Sequence, residues 1–229
     1  MKFDLHVHAE ERSGCSRSGE EDIIRAAIRF GLDGLAFTDH HRFVPVERLA
    51  MLNEKYAPFR ILNGIEITLA EGEDVLVFGV RDEALEQIGW SYPDLHRFVR
   101  GRDGFIALAH AFRRHNDIGI DLERYPLDGI ELHSKHIRSS VQPWVHQTMV
   151  RYDLIPLCNS DAHSDETVGV YYNDFVRSPI DERDLVTLLR RGSHACCGMR
   201  SRIAAYNQII RPEDRVPLPE EVCMEVHPA

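Results

Sequence analysis

The sequence Asp4-Leu-His-Val-His8 places two imidazoles two residues apart, at the end of an apolar run that starts near the first residue. Two residues is the side-chain repeat of a β-strand, so His6 and His8 leave the same face of the predicted strand. Two neutral imidazoles converging from a strand end would supply half of a tetrahedral or octahedral site for Zn, Mn or Fe. A pair of partly exposed histidines on an edge strand is the alternative, and this pair alone does not decide between the two.

Further groups of His, Asp and Glu each follow an apolar run with the composition of a β-strand. Their members are Asp39, His40 and His41; Glu66; His110; Glu131 and His133; and Asp161 and His163. In an α/β barrel the ligands and catalytic groups lie at the carboxyl ends of successive strands and point into one mouth. The repeated order of apolar strand and then His, Asp or Glu is typical of such a mouth.

The elements that must position these residues follow from hydrophobic periodicity and turn signals. We predict helices at about 18–31, 45–57, 92–101, 121–125, 139–152 and 181–191. Strands are predicted at residues 1–8, 33–38, 60–67, 74–80, 105–109, 128–132, 154–158 and 172–177, with a small apolar run at 194–198. Alternating strands and helices predict an α/β fold with a mainly parallel sheet that is closed, or nearly closed, as a barrel.

Composition limits the class of protein. The 229 residues, 43% of them hydrophobic, suit a single domain over 1–229, with a motif core at 4–199 and an extended surface tail at 200–229. The chain has no run of 18 apolar residues and no signal peptide at its start, so we expect a cytoplasmic protein with no membrane partner. The five irregularly spaced cysteines predict free thiols. A net charge of -10 disfavours long duplex nucleic acid as a partner.

Six motifs in chain order carry a resemblance to a known family. They are DLHVH at 4–8, GLDGLAFTDH at 31–40, GIEIT at 64–68, ALAHAFR at 107–113, GIEL at 129–132 and NSDAH at 159–163. With these motifs the chain resembles the polymerase and histidinol phosphatase (PHP) domain family of metal-dependent phosphoesterases. The resemblance implies a distorted seven-stranded (β/α) barrel that binds two or three divalent metal ions and hydrolyses phosphate monoesters or diesters.

The resemblance also implies a set of metal ligands. These are His6, His8, Glu66 and Asp161 for one metal; Glu66, as a bridge, and His110 for a second; and His40 and His163 for a third. Carboxylates suit bridging between divalent cations, and imidazoles favour Zn, Fe or Mn over Mg. Two such metals, about 3.5–4 Å apart, can clamp a phosphate and generate hydroxide, so that no protein nucleophile is required.

The chain departs from the family pattern in the loop after the first strand. Family members usually carry Asp or His five or six residues after the second histidine, where this chain has Ser13 and Gly14. The possible substitutes in the same loop are Glu10, Glu11 and Cys15, of which the thiol would favour zinc. A plain loop thiol is the alternative for Cys15, and the ligands of the third metal stay open.

Four other acidic or imidazole side chains are candidates for supporting roles. Asp4 is expected to orient a metal ligand or to accept a hydrogen bond at the strand end. Asp39 could orient a ligand, take part in acid–base transfer as a catalytic residue, or stabilise a turn. Glu131 and His133 have the spacing of one strand face, and either could complete the second metal site.

Arg113 lies three residues after His110, in the His-x-Phe-Arg arrangement that in the family places a guanidinium over the metals. Its fork can bind two phosphate oxygens and offset charge in the transition state, so it is predicted to bind phosphate and to contribute to catalysis. Weaker phosphate-binding candidates follow other loops of the predicted site, namely Arg17, Arg42 and Arg200.

The predicted substrate is a small phosphorylated metabolite, a nucleotide or a short oligonucleotide end, and the sequence leaves the oligomeric state open. One alternative is a noncatalytic, metal-stabilised accessory or interaction domain. Another is hydrolysis at carbon, as in amidohydrolases, which also use His-x-His. Against it, none of the three lysines ends a suitable strand, so the metal-bridging lysine of those enzymes is expected to be missing.

Overall fold

The computed structural model describes residues 1–218 and, as backbone alone, 224–225. The strands of these residues are β1 (Lys2–Val7), β2 (Gly34–Phe37), β3 (Arg60–Asn63), β4 (Ile65–Thr68), β5 (Asp74–Phe78), β6 (Phe105–Leu108), β7 (Gly129–His133), β8 (Ile155–Cys158), β9 (Tyr171–Phe175), β10 (His194–Gly198) and β11 (Met224–Glu225). The helices are α1 (Glu20–Arg29), α2 (Val46–Tyr56), α3 (Tyr92–Arg100), α4 (Gln142–Arg151), α5 (Glu182–Arg190) and α6 (Arg200–Ile209), with short 3-10 turns at Glu83–Glu86 and Pro212–Asp214.

The strands form two sheets, which confirms the mixed α/β class. One sheet has the order β11-β10-β9-β1-β2-β3 and the other the order β4-β5-β6-β7-β8. Strands β1, β2 and β3 are parallel, as are β6, β7 and β8, while β5 runs antiparallel to both β4 and β6. Within residues 1–218 and 224–225, the strands therefore form two sheets, whereas the prediction is a distorted seven-stranded barrel that is closed or nearly closed.

Gly64 divides the strand predicted at 60–67 into β3 and β4, which belong to different sheets. A Cβ atom at this position would lie 2.7 Å from the ring of Phe78 and 2.9 Å from Cγ2 of Thr38. Only glycine fits so close a contact without displacing its neighbours. The chain thus passes from one sheet to the other at a point where no side chain can be accommodated.

Three clusters of buried apolar side chains hold the sheets and helices together. On α1, Ile23, Ile24 and Ala27 are fully buried and pack in one cluster with Leu35 and Phe37 of β2. Their spacing gives the helix one apolar face, which it buries against the sheet. The strand ends that carry the motif residues are therefore fixed on a packed core.

Two segments differ from their predicted conformation. Residues 121–125 form turns in place of a helix. Residues 200–209, predicted as part of an extended tail, form helix α6, in which Ile203 is 1% exposed and packs in the core cluster that contains Tyr171. One buried side chain was too weak a periodic signal to predict this helix. Of the predicted tail, residues 219–223 and 226–229 lie outside the described residues.

The cysteines only partly match the expectation of free thiols. Cys15, Cys158 and Cys196 are free, whereas Cys197 is disulfide-bonded, so the expectation is wrong at that position. Cys223 lies outside the described residues. Among the helices of the described residues, none is long and apolar enough to cross a bilayer.

Candidate metal centre

Four buried side chains converge at the ends of β1, β4 and β8. His8 Nε2 lies 3.2 Å from Asp161 Oδ1 and 3.3 Å from Glu66 Oε2. His6 Nε2 lies 3.4 Å from the same two oxygens. His6 and His8 are two residues apart, which is the side-chain repeat of a β-strand. Glu66 belongs to β4, and Asp161 lies in the loop after β8. The strand pattern thus brings two imidazoles and two carboxylates to one point.

These four atoms have no hydrogen-bond partner although all of them are buried. They are His6 Nε2, His8 Nε2, Glu66 Oε2 and Asp161 Oδ1. A buried polar atom without a partner costs free energy, and an ionised carboxylate costs more than a neutral group. A cation bound between them would satisfy all four at once. Two imidazole nitrogens and two carboxylate oxygens fit Zn, Mn or Fe, so the residues present suit the metal that the motifs imply.

The second oxygen of Glu66 faces a neighbouring group. Glu66 Oε1 lies 3.0 Å from His110 Nε2, and Asp74 Oδ2 lies 3.9 Å from the same nitrogen. One donor atom from each of Glu66, Asp74 and His110 lies within 4.8 Å of the other two, a spacing that suits a metal ion. The two oxygens of Glu66 therefore face two different groups of side chains, each of which could hold a cation.

Asp74 was missed by the sequence analysis for a topological reason. The predicted ligands follow the carboxyl ends of strands, whereas Asp74 is the first residue of β5. Because β5 runs antiparallel to β4 and β6, its amino end lies at the same edge as their carboxyl ends. The available signal was an acidic residue starting an apolar strand directly after the GIEIT motif.

A third group consists of His8, His40 and His163, whose donor atoms also lie within 4.8 Å of one another. His40 Nδ1 additionally lies 2.8 Å from Glu66 Oε2, at ion-pair distance but without the geometry of a hydrogen bond. All seven predicted ligands and Asp74 belong to these clusters. The third group contains no carboxylate of its own, because Ser13 and Gly14 occupy the usual ligand positions.

Hydrogen bonds behind the cluster fix the tautomers of His6 and His8. His6 Nδ1 lies 2.9 Å from Glu131 Oε1, a carboxylate oxygen that can only accept, so Nδ1 donates and the lone pair of Nε2 faces the cluster. Ser13 Oγ donates to Asp39 Oδ1 at 2.7 Å, and it therefore accepts from His8 Nδ1 at 3.3 Å. Both imidazoles are thus oriented as neutral metal ligands.

Glu131, Asp39 and Asp4 all lie behind the ligands and not among them. Glu131 also accepts from the backbone N–H of His110 at 2.8 Å. Asp39 accepts from Ala9 N at 2.8 Å and from Arg12 Nε at 2.7 Å in addition to Ser13, so its carboxylate holds the loop after β1.

Asp4 joins β1 to the loop that carries Asp161. It accepts from Gly169 N at 2.8 Å and from Ser160 N at 3.0 Å, besides a short hydrogen bond from the Ser160 hydroxyl. Burial raises the pKa of Asp4 to about 6, and these hydrogen bonds oppose the shift. The carboxyl group of Asp4 therefore holds the loop that carries Asp161 against β1.

Charge coupling within the cluster shifts the pKa values of its members in opposite directions. Burial opposes the charged form of His6, but Asp161, Glu131 and Glu66 outweigh it, so the pKa of His6 lies well above its ordinary value. Burial likewise opposes ionisation of Glu66 and Asp161, yet the surrounding histidines hold both pKa values well below the usual range. Without a metal, protons partly take the place of a cation, so metal binding must release protons.

The other predicted ligands lie outside these groups. Both carboxylate oxygens of Glu11 accept from Glu20 N at the start of α1, at 3.0 and 3.1 Å. Glu10 and Cys15 are exposed, and partial desolvation together with the nearby carboxylates raises the pKa of the Cys15 thiol. His133 stacks on Tyr171 with ring centroids 5.5 Å apart, and burial lowers its pKa to about 4.

The predicted phosphate-binding arginines occupy different places around the site. Arg113 is exposed. Burial lowers the pKa values of Lys135 and His136, and the positive charge of Arg113 adds a smaller contribution to both shifts. Arg42 pairs with Glu86 at 3.1 Å. The exposed residues Arg17 and Arg200 lie in the loop beside His163 and at the start of α6.

Lys135 lies at the site although the sequence analysis discounted every lysine. It follows β7 by two residues, and its Nζ lies 3.3 Å from His163 Nδ1. The neighbouring His136 Nδ1 makes a short hydrogen bond with Asp161 Oδ2. The prediction that no lysine ends a suitable strand is therefore wrong. Lys135 reaches the site because the loop after β7 turns back over the cluster.

Comparison with known proteins agrees with this geometry. The PHP domain family matches residues 4–211. The chain belongs to the PHP domain family. The resemblance inferred from the motifs is thus confirmed, and with it the assignment to a family of metal-dependent phosphoesterases. No curated protein matches the chain significantly.

Three solved structures share the PHP fold at low sequence identity. A two-domain protein of Bacteroides vulgatus containing a predicted PHP-like metal-dependent phosphoesterase has a TM-score of 0.63 at 19% identity, covering 87% of this chain and 65% of that chain. The lesion-specific endonuclease PfuEndoQ of Pyrococcus furiosus has a TM-score of 0.62 at 12% identity, covering 99% and 74%. Endonuclease Q in complex with a 27-mer duplex carrying an abasic lesion has a TM-score of 0.57 at 14% identity, covering 82% and 56%.

These structures correct the expectation about partners. Endonuclease Q holds a DNA duplex with a lesion at its active site, so proteins of this fold do act on long duplexes. Net negative charge was the ground for excluding such partners. That exclusion is wrong, because the net charge of a whole chain does not describe the local charge at a binding site.

Proposed function

We propose that this PHP protein is a hydrolase of phosphate esters that uses two or three divalent metal ions. The observation that carries the proposal is the set of four buried, unpaired donor atoms on His6, His8, Glu66 and Asp161. In a purely structural cluster, buried atoms without hydrogen bonds would destabilise the fold for no gain. A metal-dependent hydrolase, in contrast, needs such atoms to bind its cations.

The three groups suggest how the metals would be held. His6, His8, Glu66 and Asp161 would hold the first metal. Glu66, Asp74 and His110 would hold the second. His8, His40 and His163 would hold a third, more weakly, since that group has no carboxylate. When bound, zinc, manganese or iron supplies Lewis acidity that activates water and neutralises the phosphate.

The chain's own residues would orient the metal ligands and bind the phosphate of the substrate. Glu131 and Ser13 keep the lone pairs of His6 and His8 directed at the cluster. Arg113, on the exposed loop after His110, would bind phosphate oxygens with its fork and offset charge that develops in the transition state. Asp39 is engaged by three donors and would hold the loop, not transfer a proton.

The substrate class that we propose is a phosphate monoester or diester of a metabolite, a nucleotide or an oligonucleotide end. The test uses the full chain purified without chelator, whose metal content is measured by elemental analysis. Turnover is then measured on an aryl phosphate, nucleoside monophosphates, an aryl phosphodiester and a duplex with an abasic site.

Hydrolysis of at least one ester should vanish with chelator and return with Mn, Zn or Fe. Turnover that survives chelator would reject the metal mechanism. A metal-loaded protein that hydrolyses no ester would instead favour a noncatalytic metal-stabilised domain.

A further inference from the structure

Lys135 is a charged side chain at the metal centre that the proposed function leaves without a role. It belongs to the loop after β7 and is partly buried. Its Nζ makes one polar contact, 3.3 Å to Nδ1 of His163, and no carboxylate of residues 1–218 pairs with it. A partly buried ammonium group without an acidic partner is uncommon, because charges withdrawn from water are normally compensated.

The contact with His163 does not compensate this charge. His163 Nδ1 also lies 2.9 Å from the backbone oxygen of Asp161, which can only accept a hydrogen bond. Nδ1 must therefore carry the hydrogen and donate it, and it has no lone pair left for Lys135. All three N–H donors of Lys135 are thus without an acceptor in the described residues.

The neighbours of Lys135 indicate which kind of group would accept hydrogen bonds from its ammonium group. Asp161, a ligand of the proposed first metal, and Arg113 both act electrostatically on its ammonium group. His163, a ligand of the proposed third metal, is in direct contact. An anion bound beside His163 would lie within reach of Lys135 and could accept hydrogen bonds from it, in the electrostatic field of the nearby Arg113.

Charge decides which anion is favoured. The proposed ligands Glu66, Asp74 and Asp161 supply three negative charges, while two divalent metals would supply four positive ones. Lys135 and Arg113 add two more, so the centre would carry an excess of positive charge. A phosphate monoester, close to a dianion at neutral pH, offsets this excess better than a diester, which is a monoanion.

We infer that Lys135 binds the substrate's phosphate and gives the centre a preference for terminal phosphate monoesters over diesters. This inference rests on the proposed function and names its substrate class. Lys135, in the loop after β7, would act together with Arg113, in the loop after β6, as a second hydrogen-bond donor to the phosphate. The metals remain bound without it, because it ligates none of them.

The test compares Lys135→Met with the wild type, using Lys55→Met as a matched control. Lys55 is exposed and pairs with Glu21 at 2.6 Å. Binding of inorganic phosphate to the metal-loaded full chain is measured by calorimetry, and metal content by elemental analysis. The ratio of kcat/KM for an aryl phosphate to that for a bis-aryl phosphate is measured in parallel.

Lys135→Met should weaken phosphate binding by about 10- to 100-fold, the range for losing a hydrogen bond from a charged group. The monoester kcat/KM should fall by a similar factor and the diester value by much less, with metal content unchanged. Lys135→Arg, which keeps the charge, should retain part of the affinity and serves as the second variant if the Met variant does not fold. Lys55→Met should match the wild type.

Unchanged phosphate affinity, equal losses on both esters, or loss of metal in Lys135→Met would overturn the inference. A wild type that binds phosphate in a Lys135-dependent way but hydrolyses neither ester would reject the proposed function and leave the phosphate site standing. The two failures are therefore distinguishable.

Discussion

At the scale of single residues, the centre depends on which nitrogen of each imidazole carries its hydrogen. Glu131 and Ser13 settle this for His6 and His8 by offering acceptors on the side away from the cluster. Sequence alone could predict the ligands but not these partners, because Glu131 has the spacing of a ligand and lies behind one instead. The distinction requires knowing the side of the imidazole on which the carboxylate lies.

Glu131→Gln should weaken metal binding by about 10- to 100-fold, as expected for the partner of a ligating histidine. The neutral amide accepts less strongly from His6 Nδ1, so the lone pair of Nε2 becomes less basic. Affinity is measured by competition with a chromophoric chelator. Glu123→Gln is the control, since Glu123 is 73% exposed and pairs with Arg151. Equal affinities in wild type and Glu131→Gln would refute the positioning role.

The group of three histidines should hold the weakest metal. His40→Ala should lose one equivalent of metal, or the partial equivalent present, while the metals of the two carboxylate groups remain, because His40 belongs only to the group without a carboxylate. Metal-to-protein ratios during stepwise chelator titration are the measurement. Loss of all metal together in this variant would show that the sites do not bind independently.

His133 gives a prediction about pH. Burial lowers its pKa to about 4 from an ordinary 6.5, so the folded state resists a proton that the unfolded chain accepts. The contribution to stability is complete above pH 6.5 and is lost as pH falls toward 4, by about 3 kcal/mol in all. His133→Phe, which keeps an aromatic ring against Tyr171, should remove this loss.

Urea unfolding of both proteins at pH 7.5 and pH 4 measures the difference. Subtracting the variant from the wild type removes the titration of the metal cluster, which both share. Metal content should be equal in the two proteins, since His133 lies outside the groups. A wild type and variant with the same pH dependence would show that His133 is solvated in the native state.

At the scale of elements, the sequence predicted most strands but not their arrangement in two sheets. Apolar runs identify strands whatever their direction, so the parallel β1, β2, β6, β7 and β8 and the antiparallel β5 looked alike. The direction of β5 is what brings Asp74 to the site. Lys135 was missed for a related reason: the path of a loop after its strand leaves no periodic signal.

The passage between the two sheets at Gly64 can be tested by substitution. Gly64→Val should destabilise the fold by about 1–3 kcal/mol, because its side chain would overlap Phe78 and Thr38. Gly14→Ala is the matched control, since a Cβ there meets nothing within 4 Å. Chemical denaturation gives both values. A Val variant as stable as the control would mean that a side chain can be accommodated at position 64 without loss of folding free energy.

At the scale of the whole molecule, the core and the metal centre are separate sources of order. Three apolar clusters join the sheets and helices without using any of the proposed ligands. We therefore expect chelator-treated protein to keep its circular dichroism spectrum and to unfold cooperatively at a lower temperature, since bound metal stabilises only by mass action. Loss of the spectrum on metal removal would place this protein with domains that fold only around their metal.

We propose that the four buried atoms without a hydrogen-bond partner hold a metal on which phosphate ester hydrolysis depends. The most direct test of this proposal is metal reconstitution of the Asp161→Asn variant beside the wild type, with kcat/KM on an aryl phosphate followed as metal is added. We predict that wild-type activity rises with metal to a plateau, while the folded variant binds less metal and stays inactive. A variant that regains wild-type kcat/KM would contradict the account.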